Sequence, residues 1–121
     1  MTEIQNHKQY DLEDRTFQFA KHLVLFVKQP PKNISNLEHG KQLAEASGSV
    51  GANYIEANEA LGKRDFMMRI KICRKEAKEP AYWLRLIVET NDEKFRQHGL
   101  NLLDKATELR KIFSSILARS Q

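Results

Sequence analysis

The 121-residue chain holds one cysteine, Cys73, one tryptophan, three prolines and five glycines. A lone cysteine forms no internal disulfide, which suits a reducing compartment and excludes the cystine-stapled scaffold of small secreted domains. So few prolines and glycines exclude collagen-like and low-complexity chains. Long apolar runs are missing too, since no stretch approaches the ~20 residues that span a bilayer. The opening MTEIQNHKQYDLED is polar and lacks the apolar core of a signal peptide. A cytoplasmic protein with no membrane attachment is therefore expected. The Asn33-Ile34-Ser35 glycosylation pattern is then coincidental. Extended alternation of apolar and polar residues is also absent, which argues against strands.

What is present is a charge-rich chain, 40% hydrophobic and 30% charged, long enough for one domain. The expected division is a flexible N-terminal segment over 1–10 and a helical domain over 11–121. The net charge of +4 is unevenly spread. Residues 1–31 are neutral and 32–62 carry two basic against four acidic residues. Residues 63–90 carry eight basic against four acidic, and 91–121 six against four. The excess is concentrated in KRDFMMRIKICRKEAK. Such a concentration is either a solvated face or a surface for an anionic partner, most often nucleic acid.

Four segments have helical period. The first is expected from about Leu12 to Gln29, capped by Asp11, with Phe17, Ala20, Val24 and Val27 as its stripe and Leu23 and Phe26 beside it. Pro30 and Pro31 end it. The second opens at Ser35, where Glu38 has capping-box spacing. Leu43, Ser47, Val50, Tyr54, Ala57 and Leu61 recur along it at steps of three or four, as do Ala44, Gly48, Gly51 and Ala52. That register makes ASGSVGANYIEANEA helix rather than loop. Gly48 and Gly51 each cost roughly 1 kcal/mol against Ala inside a helix, so close approach of a neighbouring backbone is expected there. The GSVG string matches the clamp of KH domains but lacks the sheet that fold needs. A P-loop needs a preceding strand and a Lys-Ser/Thr after its glycines, where this chain has Ala52-Asn53.

Gly62 caps the third helix, expected from about Lys63 to Thr90 with a kink at Pro80. Its core-facing arc is Phe66, Ile70, Cys73, Ala77 and Leu84. Arg64, Lys71, Lys75, Lys78 and Arg85 fall on the opposite side, with Tyr82 among them. Phosphates would find this stripe attractive, and Tyr82 has a ring on which a base can stack. The candidate phosphate contacts are Arg64, Lys71, Arg74, Lys75 and Lys78, Arg74 lying off the stripe. Met68, Ile72, Trp83, Leu86 and Ile87 lie outside both arcs. Large apolar side chains left on a bundle surface mark a subunit interface. The fourth helix takes in Leu102, Leu103, Ala106, Leu109, Ile112, Phe113, Ile116 and Leu117. Four such segments with short connections pack most simply as an all-α, antiparallel, up-down-up-down four-helix bundle.

Catalytic and metal chemistry find no footing in this pattern. His7, His22, His39 and His98 are scattered without metal-ligand spacing. Glu56 and Glu59 would suit a di-iron bundle, but no Glu-x-x-His pair accompanies them. Cys73 sits on the core arc and reads as a small hydrophobe. No enzyme, cofactor or metal is expected.

The strings QLAEASGSVGANYIEANEA and KRDFMMRIKICRKEAKEPAYWLRLI resemble the paired signature of the 23S rRNA intervening sequence protein family. The matching residues are Leu43, Ser47 to Asn53, Glu56-Ala57, Asp65-Phe66, Lys75-Glu76-Ala77 and Tyr82-Trp83-Leu84. The resemblance covers about residues 11 to 118. Pro80 departs from the pattern, which more often has Thr or Ser there. The resemblance implies a four-helix bundle assembled as a homopentameric ring, with no catalytic residue. Some relatives are encoded within insertions in bacterial 23S rRNA genes. A related branch comprises the accessory proteins of diversity-generating retroelements, basic pentamers that bind nucleic acid and a reverse transcriptase. The "ribosomal protein" label of such families does not imply residence in the ribosome. The expected function is a non-enzymatic, oligomeric, nucleic-acid-binding scaffold. The rivals are a protein-interaction adaptor and a purely structural oligomer whose cations are consumed in intersubunit ion pairs.

Overall fold

The computed structural model describes the backbone of residues 2–120 and the side chains of residues 11–120. It is an all-α four-helix bundle. Helix α1 spans Thr2–Val27, α2 Ile34–Asn58, α3 Lys63–Glu76, α4 Glu79–Glu89 and α5 Arg96–Ser120, with a 3₁₀ turn over Glu93–Phe95. Helices α3 and α4 together form the third rod.

Helix α1 starts ahead of the expected Leu12, so Asp11 is an interior position rather than a cap. The expectation of a separate segment over 1–10 concerns residues whose side chains lie outside the described ones. The α2 cap also differs. Asn33, not Ser35, is the N-cap, and its Oδ1 accepts from the Asn36 backbone N–H at 2.8 Å. The Ser35 hydroxyl donates to the same oxygen at 3.1 Å, so it supports the cap instead of forming a box with Glu38. A cap residue needs extended backbone, and Asn33 has it at φ −128°, ψ 175°. Gly62 caps α3 as expected, its carbonyl accepting from Phe66 N–H at 2.9 Å.

The third rod is divided rather than bent in one piece. Ala77 and Lys78 keep right-handed helical dihedrals, yet Lys78 N–H reaches back only three residues, to Lys75 O at 3.1 Å. The break precedes Pro80 because the proline ring crowds the carbonyl of Glu76 and supplies no N–H to it. The chain resumes with Pro80 in the first turn of α4, where a missing donor costs nothing.

The core forms from one line on each rod. On α1 this line is Leu12, Thr16, Phe19, Leu23 and Phe26. The expected stripe of Phe17 and Val24 was out of phase: both face outward, Phe17 at 63% exposure. On α2 the expected Leu43, Ser47, Val50, Tyr54 and Ala57 are all buried, while Leu61, beyond the helix end, is fully exposed. Ile70, Cys73, Ala77, Leu84 and Ile87 meet them from the third rod, and Leu102, Ala106, Leu109, Phe113 and Leu117 from α5.

Close approach explains some small residues and not others. A Cβ on Gly51 would lie 3.1 Å from the Thr16 hydroxyl, and one on Gly40 3.3 Å from Val27 Cβ. Gly99 lets α5 close on Val88 of α4. Gly48, by contrast, would bring a Cβ within 4 Å of nothing among the described residues, so the expected close approach is absent there. At one end of the bundle the amides of Asn36 and Asn91 exchange hydrogen bonds of 2.8 and 2.9 Å. Each also donates to a carbonyl, Asn36 to Pro31 O and Asn91 to Ile87 O. This clasp ties the α1–α2 connection to the end of α4.

Candidate nucleic-acid interface

The third rod presents the cations. Arg64, Lys71, Lys75 and Lys78 are exposed and Arg74 is half-buried. Ion pairs among the described residues link Arg69 to Asp65, Arg96 to Glu89 and Lys105 to Glu108. None of the five candidates belongs to one, so among the described residues their charge is not neutralised at contact distance. Arg64 and Lys71 line an open, shallow depression with Lys63, Asp65, Met67 and Met68 at the start of α3. Lys63 and Arg85 are exposed as well and extend the same set. Arg85 shares the arc of the other cations, and the sole signal for Lys63 in the sequence is its place in the first turn of α3.

Tyr82 stands exposed on α4 at 61%. Its ring meets Trp83 edge-on, centroids 5.0 Å apart at 85°. Trp83 is half-buried against the core, and His39 of α2 lies beside it at 5.8 Å. Lower on the rod, Glu76 accepts from the Ser49 hydroxyl at 3.0 Å, joining α2 to α3. Asn53 donates to the Ser49 carbonyl at 2.8 Å. The two halves of the sequence signature therefore meet across one helix–helix contact.

The expected interface residues divide. Met68 is exposed, and Ile72, Trp83 and Leu86 are half-buried. Ile87 is a correction: at 1% exposure it belongs to the core and is closed to a second subunit. Leu84, three residues before it on α4, is buried as expected, and Ile87 shares that inward face. A larger apolar surface escaped the sequence reading. Phe17, Val24 and Leu25 on α1 and Leu37 and Ile55 on α2 are all exposed. The surplus was legible, because α1 has more apolar residues than one inward line uses. Which line pointed inward was not.

The titratable groups point to packing rather than chemistry. Burial pushes the Cys73 thiol up to about 12 from an ordinary 9.0, and raises the Tyr54 hydroxyl as well. A thiol so held is no nucleophile near neutral pH. No group of three His, Cys, Asp or Glu residues among the described ones can hold a metal ion. No helix among them is long and apolar enough to cross a membrane.

These features define a helical-bundle protein with a cation-bearing rod and no metal cluster among the described residues. The family model described as 23S rRNA-intervening sequence protein matches residues 8–115, and the chain belongs to that family. Its fold is similar to the crystal structure of a protein of unknown function from the S23 ribosomal protein family of Bacteroides thetaiotaomicron, with a TM-score of 0.74 and 30% identity. That match covers 87% of this chain and 96% of the other. No match was found among curated proteins.

Proposed function

We propose that this protein is a non-enzymatic, oligomeric scaffold of the cytoplasm that binds nucleic acid through the third rod. The observation that carries the reading is the row of exposed cations, Arg64, Lys71, Lys75 and Lys78, outside every ion pair among the described residues. The family description, which couples the protein to a 23S rRNA intervening sequence, makes RNA the first ligand to try.

The subunit reads as an antiparallel, up-down-up-down bundle. Thr16 lies against Gly51 and Val27 against Gly40, so α1 and α2 run in opposite directions. Ser49 with Glu76 and His39 with Trp83 give the same order for α2 and the third rod. Self-association, as a homopentameric ring, would cover Phe17, Val24, Leu37 and Ile55 on one copy and Met68, Ile72 and Leu86 on the next. Two different surfaces in contact make a heterologous interface, which closes into a ring when the rotation allows. The ring would present several copies of a weak cationic rod and so bind a polyanion by avidity.

A salt titration tests the nucleic-acid reading. If each subunit neutralises about two or three phosphates, affinity falls steeply between about 50 and 200 mM salt. Lys71→Glu with Lys75→Glu should weaken binding and leave the light-scattering mass unchanged. Binding that ignores salt removes the reading. The exposed apolar strip favours the second reading, a protein-interaction adaptor. A monomer by light scattering with no affinity for RNA or DNA would support it instead.

A further inference from the structure

We infer that Tyr82 is a stacking platform for an unpaired base, so that the ligand of the third rod is single-stranded nucleic acid rather than duplex. The inference rests on the nucleic-acid reading above and deepens it. Of the two exposed large aromatic side chains among the described residues, Phe17 and Tyr82, only Tyr82 has cations on both sides along its own helix face, a spacing that Met68 shares without a ring. Lys78 lies four residues before it and Arg85 three residues after it, so all three share one face. Both cations are exposed and neither pairs with a carboxylate among the described residues. The opposing charges beside them are Glu79, three residues before Tyr82, and Glu89, four residues after Arg85 and paired with Arg96.

The ring is also held in place. It meets Trp83 edge-on on one side, and Trp83 is itself backed by the core and by His39. A base that lands on Tyr82 therefore has little side-chain freedom left to freeze. An exposed ring usually carries that entropic cost into binding.

Geometry separates the two kinds of ligand. In a duplex each internal base face is covered by its neighbours, so a ring on the surface of a helix finds no open face on which to stack. A single strand offers both groups at once: phosphates for Lys78 and Arg85, and an open base face for Tyr82. Stacking of this kind tolerates any base, so no sequence preference is expected from it.

Fluorescence anisotropy with labelled oligouridylate, oligothymidylate and an RNA duplex tests the inference. Tyr82→Ala should weaken both single strands about 5- to 150-fold, the range a base-on-aromatic stack supplies. Duplex affinity should be unchanged, and Tyr82→Phe should keep the single-strand affinity because it keeps the ring. The salt slope of Tyr82→Ala should equal that of the unaltered protein, since no cation is lost. Equal loss on duplex and single strand, or no loss on either, overturns the stacking inference and leaves the nucleic-acid reading standing. An unaltered protein that binds none of the three probes overturns both.

Discussion

Cys73 illustrates how much a neutral side chain reveals about its surroundings. It is wholly buried, and its thiol is held near 12 because the ionised form would lose its hydration. The unfolded chain ionises near the ordinary 9.0, so between those values the unfolded state releases a proton that the folded state retains. The stabilisation is therefore complete below about pH 9 and is lost as pH rises toward about 12. Tyr54, raised in the same direction, adds to the trend. The urea midpoint should fall as pH goes from about 8 to 10.5, and more shallowly in Cys73→Ala. Thiol reagents at about pH 8 should label Cys73 only after denaturation. The burial of Cys73 was legible from its place on the arc of Phe66, Ile70 and Ala77. That of Ile87 was not, since it lies at the edge of the arc and the packing of α4 against α2 and α5 sets how far round the core reaches.

The helical segments and their ends are legible in the sequence because each carries its own period and its own stop, while the start of α1 at Thr2 and the division of the third rod into α3 and α4 are not. Pro30 and Pro31 end α1, Gly62 starts α3, and the residues from 47 to 51 wind into α2 as their register requires. The starts were less legible. Asn33 and Ser35 are both good caps, and the choice turns on where the backbone leaves the extended form after Pro31. The Asn36–Asn91 clasp was invisible in sequence, because its partners are 55 residues apart and belong to different connections. Asn91→Ala should cost about 1–3 kcal/mol in chemical denaturation, since it strands the largely buried Asn36 amide. Asn36→Ala should behave alike. The double variant should cost less than the sum of the two, the mark of a shared interaction.

Under the proposed self-association, the exposed apolar surface is what one copy presents to the next. Phe17 and Val24 on α1 are exposed, and among the described residues nothing lies close enough to Gly48 to offset its helical cost. Phe17→Glu should lower the light-scattering mass to that of one 14.1 kDa subunit while circular dichroism keeps its helical signal. The substitution is outside the core, so subunit stability should change by less than about 0.5 kcal/mol. A mass that stays multimeric would move the interface off this face.

The residues alone determined the elements and the uneven charge, because helical period, proline and glycine act within a few residues of themselves. They determined too that the third rod bears the cations, since spacing along one helix sets which side chains share a face. Only the tertiary structure decided which of two apolar lines on α1 turned inward and that Gly51, not Gly48, receives a neighbour. It also decided that Ile87 is core while Tyr82 stands out against Trp83. Such choices depend on the joint packing of several rods, and an amphipathic helix with two apolar lines leaves that packing open.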